Sequence, residues 1–135
     1  MKKLVLLIVG ALLGALSWAL AAAVSGKFEP FDSESGFLVT QIILSCASLV
    51  VGIKRGMVDC IILVFGAYLG MNAFAFAFGG SEIRAWAMFG FITTVALVIY
   101  PVLAGLIGAV AGAALTKFRQ RKVVSVAEPR NAPND

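Results

Sequence analysis

The sequence predicts an all-α integral membrane protein: four transmembrane helices with both termini cytoplasmic, packed through Gly, Ala and Ser into a small bundle whose long fourth helix is tilted or kinked at proline. Three observations predict it. Of 135 residues, 61% are hydrophobic, against roughly 45–50% in an ordinary soluble domain, and only 13% are charged. The charges lie between long apolar runs, with Asp59 the one acid inside a run. Lys and Arg collect on alternate loops, as orientation in a membrane requires.

The first run, Leu4 to Val24, contains no charge. At about 1.5 Å per residue its length matches the roughly 30 Å hydrocarbon core of a bilayer. Ser25 to Gly36 carries Lys27, Glu29, Pro30, Asp32 and Glu34 and reads as an aqueous loop. The second run, Phe37 to Ile53, sits at the short limit for a span. Lys54, Arg55 and Gly56 make a tight turn into the third run, Met57 to Phe78, which closes on the turn residues Gly79-Gly80-Ser81-Glu82. The fourth run, Ala85 to Leu115, is the longest. As a helix it would measure roughly 46 Å, too long for a straight crossing. Pro101 near its middle removes a backbone hydrogen bond and pushes on the preceding turn, so a kink is expected there. Two shorter spans would need a polar loop that the run lacks. Residues 1–116 form the transmembrane domain, and 117–135 are read as a basic juxtamembrane segment with a disordered tail, since Ala127 to Asp135 is polar and holds Pro129 and Pro133.

Lys2, Lys3, Lys54, Arg55, Lys117, Arg119, Arg121 and Lys122 fall on one side of this arrangement, and only Lys27 and Arg84 on the other. The positive side is cytoplasmic. Glu29, Asp32, Glu34 and Glu82 all lie opposite. The Lys-Lys start and the short loops point to a bacterial inner membrane. Cleavage of the first run as a signal peptide is the competing reading, but the run exceeds a usual signal core and its small residues continue at helical spacing, so retention is expected.

Lipid tails are as apolar as Leu, so helices associate through small and polar faces. Gly10, Gly14, Ser17, Ala21 and Ser25 share one side of the first helix; Gln41, Ser45, Ser48 and Gly52 share one side of the second. The third aligns Asp59, Gly66, Gly70, Ala73 and Ala77, and the fourth Gly90, Thr94, Pro101, Gly105, Gly108 and Gly112. GxxxG spacing occurs at Gly66–Gly70 and at Gly108–Gly112. Either the four faces meet inside one bundle, or one of them, best the fourth, binds a second copy or a larger partner.

An acid within a span is a functional candidate, yet Asp59 lies within a turn of Gly56 and beside Lys54 and Arg55. A first-turn, snorkelling or ion-paired role is expected over proton or ion coupling. Gln41 and Asn72 are expected to bond across helices. Ten aromatic residues, among them Trp18, Phe28, Phe74 and Trp86, gather toward the outer side, read as an interfacial belt or as a surface for lipid or a partner. The period-two Phe74, Phe76, Phe78 is not read as a strand, because a lone strand in lipid leaves its backbone unpaired.

With no His, and with Cys46 and Cys60 apart from any metal or redox spacing, no catalytic, cofactor or metal site is expected and the chain is read as non-enzymatic. Size and span count are similar to the small multidrug transporters. Those carry a glutamate in the first helix, where Leu4 to Val24 has no acid. Lys117 to Lys122 is a topology anchor that attracts anionic lipid, with no nucleic-acid partner expected. The expected role is an accessory or assembly subunit packing against itself or a larger membrane complex; the alternative is a homo-oligomeric channel, small transporter or holin-like pore.

Overall fold

The computed structural model of the protein describes residues 2–80 and 87–127. Four helices account for most of them: α1 (Lys2–Ser25), α2 (Glu34–Arg55), α3 (Met57–Phe78) and α4 (Ala87–Ala127), with one 3-10 turn at Pro30–Asp32. All four are long and apolar enough to cross a membrane. There is no strand among the described residues, and Phe74, Phe76 and Phe78 lie in α3.

Local chemistry sets the boundaries. No proline or charge interrupts α1 between Leu4 and Val24, and the helix ends where Gly26 takes the left-handed conformation, φ 67°. Helix α2 starts at Glu34, ahead of the apolar run, because Ser33 caps it: its backbone is extended and its Oγ accepts the Gly36 N–H at 3.0 Å. Part of the expected aqueous loop is therefore helical. At the other end Lys54 and Arg55 sit in the last turn, favourably placed on the helix dipole. One residue then joins α2 to α3. Gly56, φ 87°, donates its N–H to the Gly52 carbonyl at 3.0 Å and accepts the Cys60 N–H at 3.2 Å.

Helix α4 runs unbroken through Pro101 for 41 residues, about 61 Å. It exceeds the apolar run because no Gly or Pro follows Gly112 until Pro129. Residues 117–127, read from sequence as a juxtamembrane segment, are thus helical. The remainder of the expected tail, 128–135, lies outside the described residues, as do Ser81 to Trp86 of the expected turn and span start.

Consecutive helices alternate in direction, so α1 and α3 are parallel, as are α2 and α4. These parallel partners make the most extensive contacts. The α1–α2 and α3–α4 hairpins hold together less closely, α2 touches α3 across the bundle, and α1 and α4 do not meet among the described residues. Large apolar side chains such as Leu12, Ile42, Phe65, Ile92 and Ile107 face outward, as in a lipid-facing surface.

Trp18, Leu44, Ala67, Met71 and Leu97 form the buried core, with half-buried Phe28, Phe31, Phe37 and Phe74 packed on it. Trp18 is thus a core residue rather than part of an interfacial belt. The loop after α1 explains this: Phe28 folds back onto Trp18 at 6.2 Å between rings and stacks on Phe74 at 6.3 Å, while Phe74 meets Phe78 at 4.7 Å. Trp86 lies outside the described residues.

Candidate functional site

Two features organise the interior, a pair of glycine seams and a layer of buried polar groups. In the first seam, a Cβ added at Gly10 would collide with the Leu63 carbonyl and one at Gly14 with the Ala67 carbonyl. From the other side, Gly66 lies against the Leu7 carbonyl and Gly70 against that of Ala11. Only glycine permits backbones this close, and close approach is what generates dispersion contact between helices in lipid. In the second seam Gly52 faces Gly105 and Ala109, and Gly108 faces Leu49 and Ile53. Gly112 continues it against the Ile53 carbonyl, while Gly105 also meets the Cys60 thiol.

Both seams are reciprocal under one shift of sequence number. Gly10 on Leu63 mirrors Gly66 on Leu7, and Gly52 on Gly105 mirrors Gly108 on Leu49, every counterpart being displaced by the same interval along the chain. The sequence contains the matching signal: Leu7-x-x-Gly10-Ala11-x-Leu13-Gly14 recurs as Leu63-x-x-Gly66-Ala67-x-Leu69-Gly70. The α1–α2 and α3–α4 hairpins are one unit used twice, a recurrence that reading each helix alone does not reveal.

Of the nine glycines on the spaced stripes, eight lie at these seams, while an added Cβ at Gly90 would meet nothing within 4 Å. The stripes depart from the structure elsewhere: Ala73 and Ala77 of α3 are exposed, and Ala67 and Met71 take the inward positions. The glycine face of α4, the best candidate for an outside partner, is covered by α2 of the same chain.

The polar layer begins with Pro101. A proline at that position leaves the carbonyl of residue 97 without its helical donor. Gln41 of α2 donates its Nε2 to the Leu97 carbonyl at 3.1 Å. Beside it, Asn72 of α3 donates Nδ2 to the Tyr68 carbonyl at 2.8 Å and to Thr94 Oγ1 of α4 at 3.0 Å. Tyr68 donates its hydroxyl to the Phe91 carbonyl at 2.9 Å. These bonds tie α2 and α3 to the same stretch of α4. Thr94 is buried at 1% exposure, yet sequence spacing alone marks it only as a small stripe residue.

Asp59 stands apart from the layer, in the first turn of α3 with its carboxylate 4.0 Å from Arg55. Gln41 Oε1, Ser48 Oγ and Trp18 Nε1 are buried without a partner among the described residues. Ser48 lines a seam shared by all four helices through Leu13, Leu44, Val64 and Pro101, too narrow for a water molecule. Both cysteines are free, Cys46 on the outer face and Cys60 buried. Taken together, these groups hold four helices in a fixed register. Compared with known proteins, the chain matches no family model, no curated protein and no solved structure.

Proposed function

We propose that this small multi-pass membrane protein works as a non-enzymatic accessory or assembly subunit of a larger membrane complex, in a bacterial inner membrane with both termini cytoplasmic. The observation that carries the reading is the length of α4. Its register with α2 ends where Gly112 meets Ile53, just before α2 stops at Arg55, yet α4 continues to Ala127. The extension is about a dozen residues, roughly 18 Å. Side chains from Ala113 to Gln120 are all exposed. A lone helix of that length is marginal in water, so a second protein packed on it supplies the support that the bundle does not. The docking element is then the projecting arm rather than the α4 glycines, which α2 already covers.

Self-assembly into a pore is the weaker alternative. Gln41, Ser48, Asn72 and Thr94 are buried inside the bundle, and the outward faces are Leu, Ile, Val and Phe. A ring of copies would line its path with hydrocarbon.

A photo-crosslinking residue at Gln120, in native membranes, tests both readings. The expected result is one discrete adduct with a different polypeptide, lost on deleting residues 121–135, which keeps the crosslinking position, while the bundle keeps its helicity and melting temperature. A residue at lipid-facing Ile42 should give no such adduct. An adduct built only of copies of this chain, or none at all, refutes the accessory reading.

A further inference from the structure

Of the two tyrosines, Tyr68 gives its hydroxyl to the Phe91 carbonyl at 2.9 Å, whereas the hydroxyl of Tyr100 meets no acceptor among the described residues and its side chain is 57% exposed. Its depth makes that unfavourable. The contacts of Gly52 with Gly105 and of Gly108 with Leu49, together with the Gln41–Leu97 bond, set parallel α2 and α4 in one register that puts Tyr100 level with Leu44. Leu44 lies midway between Glu34 and Lys54, near the two ends of α2, about 15 Å from each. The hydroxyl therefore stands in hydrocarbon, out of reach of either interface, where a polar group without a partner is costly.

Tyr100 belongs to a stripe. Thr93, Ala96, Tyr100, Leu103 and Ile107 follow one another at alternating steps of three and four, so they share a face, and all five are exposed. That face is turned away from Thr94, Leu97, Pro101, Gly105 and Gly108, which are buried. The ring of a helical tyrosine leans over the turn before its own, and here that turn carries Ala96 and Thr93, small enough to let another backbone approach. The same steps carry the stripe to Ala114, where the exposed arm begins.

Whatever covers this stripe must bring an acceptor to mid-membrane depth. A phospholipid does not, because its ester and phosphate oxygens lie at the interface. A second copy laid parallel would set Tyr100 against Tyr100 at one depth, where only one of the two phenols could donate to the other. We propose that a spanning helix of the partner protein packs along Thr93 to Ile107 and accepts the Tyr100 hydroxyl through a carbonyl or side-chain oxygen. This rests on the accessory reading and extends it: the partner follows α4 from the arm into the membrane, so it is itself a membrane protein.

A photo-crosslinking residue at Leu103, in native membranes at limiting expression, tests the stripe apart from the arm. It should give an adduct with the same polypeptide that Gln120 captures. Leu12, exposed on α1, which does not meet α4 among the described residues, should give none. Tyr100→Phe should lower the Leu103 adduct about threefold or more, the worth of an interhelical hydrogen bond in a membrane. Ala96→Phe, whose bulk lipid would accept, should abolish it. Neither change should weaken the purified bundle in detergent, whereas Tyr68→Phe should, since it loses the bond to the Phe91 carbonyl. No adduct at Leu103, or one made only of lipid or of copies of this chain, overturns the proposal. So does an undiminished adduct in Tyr100→Phe, or a loss of bundle stability there equal to that of Tyr68→Phe. With the Gln120 adduct intact, each of these results leaves the accessory reading standing; if Gln120 also captures nothing, that reading falls with the proposal.

Discussion

Replacing Gly108 with Ala tests the seam with a single methyl group. The new Cβ would stand 2.5 Å from the Leu49 carbonyl oxygen and 3.2 Å from both the Leu49 carbonyl carbon and the Ile53 nitrogen, all backbone atoms that no rotamer change can move. Ordinary contact begins at 3.4 Å. Helices α2 and α4 must therefore part locally by up to about 0.9 Å, a gap that forfeits a quarter to a half of each affected dispersion contact. Overpacking of this kind costs about 1–3 kcal/mol. Helix propensity opposes it, since Ala gains up to about 1 kcal/mol over Gly in a helix interior. The net expectation, with the full propensity gain set against it, is a loss of up to about 2 kcal/mol. Gly90, on the same helix with nothing within 4 Å of its would-be Cβ, supplies the opposite sign: Gly90→Ala should be neutral or stabilising by up to about 1 kcal/mol. Unfolding in mild detergent, followed by circular dichroism against added SDS, compares the two. Because Gly52 makes the mirror contact, Gly52→Ala should cost a similar amount, and the Gly52/Gly108 double variant less than the sum, the helices being already apart. At Gly108 itself, Ile should do more damage than Ala, whereas Val110→Ile, on a side chain 63% exposed, should be tolerated. If Gly108→Ala proves as stable as Gly90→Ala, the close seam is not what holds α2 to α4.

Gln41→Leu should cost about 1–3 kcal/mol by orphaning the Leu97 carbonyl, toward the lower figure in a membrane, and that cost should shrink in a Pro101→Ala background, where residue 101 regains its N–H; additive costs would refute the pairing. A lipid-soluble maleimide should label outward Cys46 several-fold faster than buried Cys60, with no disulfide between them on a non-reducing gel; the reverse order would mean that α2 or α3 is rotated. A cytoplasm-active reporter fused after Lys122 and an exterior-active one inserted between Ser33 and Gly36 should both give signal, and silence from either in an inserted protein refutes the orientation read from the eight-to-two division of Lys and Arg.

What could be read from the sequence follows from what kind of physics sets each feature. Span number rests on composition over some twenty residues, and the four apolar runs answer to four helices long and apolar enough to cross a membrane. Glycines at helical spacing mark backbone approach, so Gly10, Gly14, Gly66, Gly70, Gly105, Gly108 and Gly112 stand out before any partner is known. Boundaries depend on single bonds. The Ser33 cap moves the start of α2 into the expected loop, and no turn residue stops α4 before Ala127. Trp18 shows where a statistical rule gives way to a specific contact, because an interfacial preference cannot anticipate a loop that brings Phe28 back across the indole.

Pairing of helices is the step that needs the whole chain at once. The interval between Gln41 and Leu97 is the one that relates Gly10 to Gly66 and Gly52 to Gly108, so they occupy equivalent places in the two hairpins and face each other across the α2–α4 seam. A strict repeat would put apolar side chains at both. Instead one hairpin carries Pro101 where the other has Ser45, which frees the Leu97 carbonyl, and the other carries an amide at position 41, which fills it. Buried in hydrocarbon, either change alone would leave a polar group unpaired: a carbonyl without a donor, or an amide without an acceptor. Together they give a repeated scaffold one interhelical bond that only its own two halves can form. That bond specifies α2 against α4 in a single register, where glycine seams of repeated sequence would tolerate several.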